Sequence, residues 1–534
     1  MDFFRDVTKC LLVQTKFSAY SFWNYQDVCD IAGAKYVAAP LGLLTVAALL
    51  PQQWTFRLID ENVEPLLDEH FLWADIVCTG GMLPQQDNII AFIRKAHGLN
   101  RLVAVGGPDP SSQPDLYKEA DFLVLGEGEV TIPMFLEDLK IGAKSGRYCS
   151  EKRADMQKAV IPRYDLIRFS NYIMIGLQFI RGCPFNCEFC DVIELYGRTP
   201  RYKTNAQVIS ELQTLYTLGY RGYVDFVDDN FIGNKPKVKE LLKEIKNWSQ
   251  KHKYPFYFSA EATVNLADDD ELLQLMKECD FRYLFLGIET PEDETLVLNK
   301  KIQNVNKPVE VAVRKILSYG IVSNGGYIIG FDSESPQIAE NMITSIKESG
   351  ICMAMIGLLY ALPNTQLTRR LDAEGRLFHM TSRTINANII DQTTSGLNFV
   401  TKIPRTRILS NYIKVLDTVF QPKNYYKRVI YTGLKIRPEY HHKPDFRTWL
   451  VFMRSFLRVC RAAGFSSETG LFYWRMFFTV IIRNPKGIGA AVNQAAMFIH
   501  LKKMKGYAIS TIKKLISDIE EIGEEAFNLK MTGS

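Results

Sequence analysis

Hydrophobic and polar positions alternate along the first 140 residues in a way that predicts strands followed by helices. Short apolar runs that end in Gly, Asp, Asn or Glu predict the strands: KCLLVQTKF, FRLIDEN, ADIVCTGG, RLVAVGG and ADFLVLGEGE. Two stretches between them, LGLLTVAALLP and QDNIIAFIRKAHG, space their apolar residues as an α-helix does. Strand–helix alternation is typical of a parallel sheet covered by helices on both faces. We therefore predict an α/β, doubly wound domain over residues 1–140, with ligands at the carboxyl ends of its strands.

A second alternating series begins at residue 173, after a mixed polar stretch over 141–172 that is typical of a linker. Its predicted strands are IMIGLQFIR, GYVDFVDDN, FYFSAEA, RYLFLGIET, GGYIIGFD and MAMIGLLYALP. Six βα units predict a partial (βα)6 barrel over 173–400, a shortened relative of the eight-unit barrel. From 401 to 534 the alternation stops, and we expect a helical C-terminal region rich in aromatic and basic residues.

Composition agrees with a folded protein of two or three domains, because 47% of the 534 residues are apolar and 23% are charged. No run of eighteen apolar residues predicts a transmembrane helix, and the first apolar stretch is too short for a signal peptide. We therefore expect a cytoplasmic protein. The net charge of +5 is unevenly spread, since residues 401–534 hold 23 Lys and Arg against 9 Asp and Glu.

Three of the ten cysteines are grouped on one short loop, RGCPFNCEFCD, with C-x3-C-x2-C spacing. Thiolates of Cys183, Cys187 and Cys190 can reach several irons of one cubane cluster and leave one iron open. A structural zinc site would need a fourth ligand, and the nearest histidines, His97 and His252, are far along the chain. The remaining cysteines are typical of buried or incidental thiols.

This spacing resembles the signature of the radical S-adenosylmethionine superfamily, in which Phe189 matches an aromatic position near the adenine. The resemblance implies a 4Fe–4S cluster whose open iron binds S-adenosylmethionine and cleaves it to a 5′-deoxyadenosyl radical. It also implies that S-adenosylmethionine is bound by residues at strand ends: Asp228, Asp229, Glu261, Gly287 and Glu289. Ordinary turn and cap chemistry is the alternative for each of them.

The first 140 residues resemble the cobalamin-binding domain that precedes many radical S-adenosylmethionine modules. The contacts that this resemblance implies are Leu41, Gly42, Asp60, Asn62, Gly80, Gly81, Gly106, Gly107, Gly126 and Glu127. Glycines would let the backbone approach a flat macrocycle closely. The alternative, a generic nucleotide or flavin domain, lacks G-x-G-x-x-G after its first strand.

One departure from the cobalamin pattern concerns the metal ligand. Methyl-transfer domains of the cobalamin-dependent synthase type carry D-x-H-x-x-G, whose His ligates cobalt. Here Asp60 is followed by Asn62 in the place of that His and by Pro65 in the place of the Gly. A carboxamide is a poor cobalt ligand, so we expect that no His of this loop holds the lower face of the cobalamin.

The segments DVIELYGRTPRYKT, FVDDNFIGN, EATVNLA and GIETP narrow the resemblance to the hopanoid C-2 methylases. What this implies is methylation of an unactivated carbon, with cobalamin as the methyl carrier and a reductant such as flavodoxin or ferredoxin. Cofactors would carry the chemistry, and no side chain is assigned as an acid or base. Two alternatives stay open: a cobalamin-dependent radical enzyme that catalyses a cyclisation, rearrangement or oxidation, and a non-catalytic cobalamin or iron–sulfur binding protein.

Basic and aromatic residues share helical spacing in the C-terminal region, for example Arg454, Arg458 and Arg461 beside Trp449 and Phe452. Such a pattern suits a helix on an anionic membrane surface and agrees with a lipid substrate. We therefore expect peripheral contact with the inner face of the membrane. A core-packing helical cap with a solvated basic rim is the alternative. No nucleic-acid motif is present, and nucleic acid is not expected as a partner.

Overall fold

A computed structural model describes residues 9–18, 21–22, 24–378 and 392–532. Its strands are β1 (Lys9–Gln14), β2 (Tyr36–Ala38), β3 (Thr55–Asp60), β4 (Ile76–Gly80), β5 (Leu102–Gly106), β6 (Phe122–Val124), β7 (Gly146–Tyr148), β8 (Tyr172–Leu177), β9 (Ile180–Arg181), β10 (Arg201–Tyr202), β11 (Gly222–Phe226), β12 (Phe256–Ala262), β13 (Phe281–Glu289), β14 (Val322–Ile329) and β15 (Ala354–Leu358). Its α-helices are α1 (Gln26–Ala32), α2 (Leu41–Leu49), α3 (Asp68–Trp73), α4 (Gln86–Gly98), α5 (Pro108–Ser112), α6 (Gly128–Lys140), α7 (Val192–Tyr196), α8 (Asn205–Thr217), α9 (Lys235–Lys251), α10 (Asp270–Glu278), α11 (Asp293–Leu298), α12 (Val309–Ser318), α13 (Ile338–Ser349), α14 (Gln366–Ala373), α15 (Arg405–Val419), α16 (Pro422–Lys435), α17 (Phe446–Val459), α18 (Gly470–Arg483), α19 (Ile488–Ile522) and α20 (Glu524–Thr532).

The first sheet is parallel and has the strand order β3-β1-β4-β5-β6-β7. The strand order reverses between β1 and β4, which is where doubly wound sheets open a crevice for ligands. The apolar run Cys10–Val13 of β1 is fully buried, because helices cover both faces of a parallel sheet. The predicted doubly wound domain is confirmed.

The second sheet is also parallel, with the order β15-β14-β13-β12-β11-β8-β2. Six of these strands are the ones that the apolar runs predict. The seventh, β2, comes from within residues 1–140 and pairs Tyr36 with Tyr172 and Ala38 with Met174. The N-terminal segment therefore contributes to both sheets, which differs from the predicted boundary.

The stretch 141–172, expected as a linker, also contains a strand. Residues Gly146–Tyr148 form β7, the edge strand of the first sheet, in parallel with β6. Strands of three residues, such as β2 and β7, are too short to show an apolar period. Their strand conformation depends on the neighbour that tertiary packing supplies.

The open side of the second sheet lies between its edge strands, β2 and β15. Residues just before α1 reach across this gap. The Tyr25 hydroxyl donates to Met355 Sδ on β15 at 3.7 Å, and the Phe22 ring lies 3.8 Å from where a Cβ on Gly357 would stand. We call residues 21–22 and 24–32 the closing segment, because they contact β15 at one edge of the sheet and β2 at the other.

The C-terminal region is helical, as predicted. The 35-residue helix α19 contacts α15, α16, α18 and α1. His500 of α19 forms a 3.2 Å hydrogen bond with Asp27 of α1, so the last part of the chain holds the first helix in place. Within the described ranges, no helix has both the length and the apolar character needed to cross a bilayer.

Candidate active site at the cysteine loop

The three cysteines follow β8 and β9 at the carboxyl edge of the second sheet. Cys187 is buried, and Cys183 and Cys190 are partly exposed. The chain enters the loop through Gly182, whose φ is +89°, and a Cβ there would lie 2.9 Å from Gly197 O. Glycine is therefore required for the turn that delivers the first cysteine.

Neighbouring segments clamp the middle of the loop at Glu188, between the second and third cysteines. The Glu188 amide donates to Asn299 O at 3.0 Å, and Glu188 O accepts from the Leu367 amide at 2.9 Å. The Glu188 carboxylate accepts two bonds from the Arg370 guanidinium, at 2.8 and 3.0 Å. Paired donors of this kind fix orientation as well as distance, so α14 and the residues after α11 position the cysteines.

A buried ammonium group lies beside the thiols. Burial raises the pKa of Cys183 and of Cys190, which opposes thiolate formation. Lys301 Nζ lies 2.6 Å from Glu289 Oε1. Burial opposes the charge on Lys301, but Glu289 and Cys187 outweigh it and raise the pKa of this lysine. A fixed cation favours thiolates, so the donor set fits a negatively charged iron–sulfur cluster.

Side chains that bind a single metal ion must converge on one point. No three His, Cys, Asp or Glu side chains among the described residues do so. Cysteines that each bind a different iron of one cubane do not need to meet at one point.

The end of β13 places Gly287 and Glu289 beside Lys301. The strand register shifts between these two residues, and Glu289 has a φ of +68°, which is rare for a residue with a side chain. A Cβ on Gly287 would lie 2.7 Å from Glu289 Oε1. Asn304 Nδ2 donates to Gly287 O at 2.8 Å. Gly287 therefore makes room for the Glu289 carboxylate to turn towards Lys301.

Asp228 is fully buried and is engaged by backbone. Its Oδ1 accepts from the amides of Phe179 and Ile180 at 2.7 and 2.9 Å, which ties the end of β11 to the start of the cysteine loop. Burial raises the pKa of Asp228 to about 8 and that of Asp229 to about 6. Only the second oxygen of Asp228 is left for a ligand.

Glu261 is the penultimate residue of β12 and lies in a recess. Solvent reaches its side chain, yet burial, followed by the charge of Asp225, raises the pKa of Glu261 to about 8. A side chain that solvent reaches but that protein atoms largely surround is typical of the wall of a concave site. Phe189 contacts Phe331, the residue after β14 and Gly330, with ring centroids 5.7 Å apart. The structure thus places Glu261 and Phe189 at the same edge of the second sheet, the edge at which its strands end.

Several buried polar atoms at this edge have no hydrogen-bond partner among the described residues. They are Asp228 Oδ2, Asn230 Oδ1 and Nδ2, Gln303 Oε1 and Asn304 Oδ1. Buried polar groups are almost always bonded, so this concentration after β11 and β13 indicates a polar ligand. Asn230, Gln303 and Asn304 were missed by sequence reasoning, because FVDDN and LNKKIQN look like ordinary solvated turns.

Four glycines of the first sheet pack backbone against backbone. A Cβ on Gly80 would lie 2.5 Å from Gly106 O, and one on Gly107, whose φ is +97°, would lie 2.9 Å from Gly81 N. A Cβ on Gly106 would lie 2.6 Å from Val124 O. Close approach of neighbouring backbone therefore already accounts for glycine at Gly80, Gly106 and Gly107, whereas a Cβ on Gly81 would meet the Gln85 side chain, 2.5 Å from Oε1.

Gly42 and Gly126 differ from those four, since a Cβ at either would meet nothing within 4 Å. Gly42 lies in the first turn of α2, and Gly126 follows β6. Leu41 Cδ2 lies 3.5 Å from the position of a Cβ on Gly176 of β8. The open space beside Gly42 and the open space beside Gly126 leave room for a broad, flat ligand such as a corrin.

Asp60 and Asn62 are bonded to each other and to the surrounding chain. Asn62 Nδ2 donates to Asp60 Oδ1 at 2.7 Å, and Asn62 Oδ1 accepts from the Phe17 amide at 2.9 Å. The Tyr172 hydroxyl donates to Asp60 Oδ2 at 3.2 Å. Asp60 fastens the loop after β3 to the start of β8, and Asn62 fastens it to the chain after β1. The Asn62 carboxamide is therefore not free to bind cobalt.

Glu127 links the first sheet to the cysteine loop. Its Oε2 accepts from Arg181 at 2.9 Å and from Arg201 at 2.7 Å. Arg181 also donates two bonds, at 3.0 and 2.9 Å, to Glu129. We call these four side chains the hinge network. Its carboxylates bind arginines of β9 and β10, so Glu127 has only Oε1, which lacks a partner among the described residues, to offer a ligand.

Comparison with known proteins defines the class of enzyme. Residues 177–346 match the Radical SAM superfamily, and residues 365–514 match a domain of unknown function, DUF4070. The radical S-adenosylmethionine methyltransferase TsrM from Kitasatospora setae, solved with cobalamin and a 4Fe–4S cluster, has a TM-score of 0.60 at 13% identity, over 91% of this chain and 99% of that chain. The cobalamin-dependent radical enzyme OxsB, solved with aqua-cobalamin, has a TM-score of 0.58 at 14% identity, over 96% and 84%. Fold and cysteine loop together define a radical S-adenosylmethionine enzyme.

Sequence relatives narrow this class. An uncharacterized methyltransferase of Synechocystis sp. is 40% identical over 87% of this chain and 86% of its own length. The hopanoid C-2 methylase of Rhodopseudomonas palustris is 35% identical over 83% of this chain and 84% of its own. The chain therefore belongs to the cobalamin-binding-domain radical S-adenosylmethionine methyltransferase family, as the resemblance in its motifs predicted.

Proposed function

We propose that this enzyme methylates an unactivated carbon of a hopanoid or related lipid, using a 4Fe–4S cluster, S-adenosylmethionine and cobalamin. The observation that carries the proposal is the hinge network. It fastens the LGEGE turn, at the predicted cobalamin edge of the first sheet, to the cysteine loop of the second sheet. Two cofactor sites held at a fixed separation suit a reaction that needs both cofactors at one substrate carbon.

The chain's own residues would bind and orient the cofactors. When bound, the cluster and S-adenosylmethionine supply radical chemistry, and cobalamin supplies the methyl group. Cys183, Cys187 and Cys190 would donate thiolates, and Lys301 would balance their charge. The unbonded atoms of Asn230, Gln303 and Asn304, with Glu261, Gly287 and Asp229, would contact S-adenosylmethionine.

Residues of the first sheet support the cobalamin assignment in different ways. Leu41, Gly42 and Gly126 would border the space that a corrin occupies. Asp60 and Asn62 would hold the loop after β3 in place through hydrogen bonds to each other and to the surrounding chain. Because Asn62 is already bonded, this loop offers no cobalt ligand, which agrees with the absence of the D-x-H-x-x-G histidine.

Strand register defines the face on which a substrate would lie. Glu261 pairs with Phe285 and Phe285 pairs with Asn324, while Gly287 pairs with Gly326 and Gly326 with Met355. Paired residues of parallel strands share a face of the sheet. The face that carries Glu261 therefore also carries Phe285 and Met355, and the Phe285 ring fills the space beside Gly326, 2.9 Å from where a Cβ would stand there. These apolar side chains support a largely apolar substrate.

Two further partners belong to the proposal. A low-potential protein such as flavodoxin or ferredoxin would supply electrons, since radical cleavage of S-adenosylmethionine is reductive. The inner face of the cytoplasmic membrane would supply a lipid substrate.

Anaerobic turnover tests the proposal. Reconstituted full-length enzyme is mixed with dithionite, S-adenosylmethionine and a hopanoid, and products are analysed by mass spectrometry. We expect 5′-deoxyadenosine and a product heavier by one CH2 unit. Cys187→Ala should give neither, whereas Cys149→Ala is the matched control, because Cys149 is an exposed thiol away from the loop.

Each alternative has its own outcome. Substrate consumed without a mass gain of one CH2 unit would instead support a cyclisation, rearrangement or oxidation. No 5′-deoxyadenosine from the wild type, or undiminished 5′-deoxyadenosine from Cys187→Ala, would contradict the catalytic role of the loop.

A further inference from the structure

An exposed apolar surface covers α17, α18 and the turn between them. Eleven of the twenty-five large hydrophobic side chains that are exposed among the described residues fall between positions 446 and 482. The exposed aromatic residues in this segment are Phe446, Trp449, Phe452, Phe465 and Phe478. Soluble monomers seldom expose apolar groups in such concentration, and where they do a partner covers them. We call this surface the α17–α18 patch.

The helix α17 presents its apolar stripe outward. Residues at positions i, i+3, i+7 and i+11 share one side of an α-helix. On α17 these are Phe446, Trp449, Met453 and Leu457, and they are 73%, 47%, 37% and 61% exposed. The neighbouring side carries Arg454, Arg458 and, in the turn that follows, Arg461. An amphipathic helix ordinarily turns such a stripe towards the core, so this one is built to meet something outside the chain.

The charge around the patch indicates an anionic partner. Residues 443–486 contain eight Lys and Arg but only two acidic residues, Asp445 and Glu468. Asp445 caps α17 by accepting from the Thr448 amide at 2.8 Å, and Glu468 pairs with Lys502. A second copy docked about a two-fold axis would bring arginines against arginines, whereas anionic lipid headgroups would neutralise them.

We propose that the α17–α18 patch docks on an anionic phospholipid bilayer, with its aromatic side chains in the headgroup boundary and its arginines on the phosphates. A basic helix with an exposed aromatic and aliphatic face is typical of interfacial membrane binding. Trp and Arg side chains suit this depth, because their apolar parts enter the bilayer while their polar ends stay hydrated.

The patch adjoins the side on which the second sheet is open. Arg458 donates to Asp30 O at 2.9 Å and to Ile31 O at 3.2 Å, which fixes α17 to α1 of the closing segment. Tyr25 and Phe22 of the same segment lie against β15 at the substrate face. A docked bilayer would thus lie against the segment that closes this face. That consequence, lipid access between α1 and β15, rests on the proposed function, while docking itself does not.

Flotation of the full-length protein with vesicles tests the docking. The probes are phosphatidylcholine vesicles with and without phosphatidylglycerol. We expect the wild type to float with the anionic vesicles and to detach as salt rises, because surface attraction is screened. The double variant Trp449→Glu/Leu457→Glu should lose about tenfold or more in affinity, since it places two charges in the apolar boundary. Arg454→Gln/Arg461→Gln should also lose about tenfold or more in affinity, because it removes two basic residues that attract anionic headgroups.

Matched controls are Leu72→Glu and Val311→Glu, which alter equally exposed hydrophobic residues on other faces (58% and 57% exposed) and should bind as the wild type does. Equal flotation of the Trp449→Glu/Leu457→Glu variant and the wild type, or no flotation of the wild type, would overturn the proposal. A lipid-free dimer that this double variant abolishes would overturn it too, in favour of a chain–chain interface. Catalytic turnover is not measured here, so failure of docking and failure of the methylation proposal remain separate results.

Discussion

Glu127→Gln should loosen the cysteine loop by weakening the hinge network. The Glu127 side chain is 1% exposed and accepts from two arginines. Glutamine has the same shape, so the change removes the charge without leaving a cavity. Removing one partner of a buried ion pair costs about 3–5 kcal/mol, because the remaining charge stays buried.

The structure places the expected loss at the lower end of that range. Arg181 keeps its two bonds to Glu129, at 2.9 and 3.0 Å. Arg201 keeps bonds to Ala154 O and Tyr196 O, at 2.8 and 3.0 Å. We therefore expect a loss of about 3 kcal/mol in the free energy of opening the loop, which corresponds to about 100-fold more frequent opening.

Amide hydrogen exchange of the peptide 178–190 measures this opening directly. It contains the Ile180 amide, bonded to Asp228, and the Glu188 amide, bonded to Asn299. Iron content after anaerobic reconstitution should fall in parallel.

The matched control is Glu119→Gln. Glu119 also accepts two bonds from one arginine, Arg94, both at 3.0 Å, but both side chains are solvated, so the pair contributes little to stability. Exchange in 178–190 that is as slow in Glu127→Gln as in Glu119→Gln, with equal iron content, would refute the reasoning.

Two further predictions concern the first sheet. Gly42→Leu should lower cobalamin affinity about tenfold or more, because the leucine side chain would fill the open space at the start of α2. Gly98→Leu is the matched control, since Gly98 is also a helical glycine with nothing within 4 Å of a Cβ, and it should leave the affinity unchanged. Equilibrium dialysis with cobalamin measures both affinities. Burial raises the pKa of Asp60 from 3.8 to about 6, so the folded protein holds this proton more tightly than the unfolded chain, and stability falls as pH rises from about 4 to 6. Asp60→Asn should reduce that slope in urea unfolding midpoints, while Asp228, Asp229 and Glu261, whose pKa values burial also raises, keep their share of it.

The contrary outcomes are equally definite. Unchanged cobalamin affinity in Gly42→Leu would take this helix out of the proposed corrin site. An identical pH slope in Asp60→Asn and the wild type would show that another carboxyl group is responsible. The Asp60→Asn substitution should preserve the hydrogen bond to Tyr172, because the Tyr172 hydroxyl that donates to Asp60 can accept from an amide instead.

The sequence by itself determined the features that depend on neighbours along the chain. Apolar runs of five to nine residues predict the strands β1, β3 and β8, and the helix α4 follows from its 3.6-residue period, because local periodicity reports which face is buried. The cysteine loop was equally accessible, since all three of its ligands fall within eight positions. The resemblance pointed to Gly287 and Glu289, and the structure places both against Lys301, with Glu289 Oε1 at 2.6 Å from its Nζ; their role in binding S-adenosylmethionine stays a prediction.

Tertiary structure alone decided what those residues touch. Asp228, Glu127 and Asn62 stand in the positions expected of ligand-binding residues, yet each is largely engaged by partners 45 to 74 positions away. No local pattern encodes such pairings. The same holds for β2, whose partner β8 is over a hundred residues distant, and for Lys301, whose neighbours are the cysteines.

The helix α17 shows most clearly what a sequence pattern leaves undetermined. Its amphipathic sequence indicates that one face seeks an apolar environment, but a core and a bilayer satisfy that demand equally well. Which of the two applies depends on whether other elements cover the face. Here α1 and α19 pack against α17 and leave Trp449 and Leu457 exposed, so packing of distant segments, and not the pattern itself, turns the stripe outward.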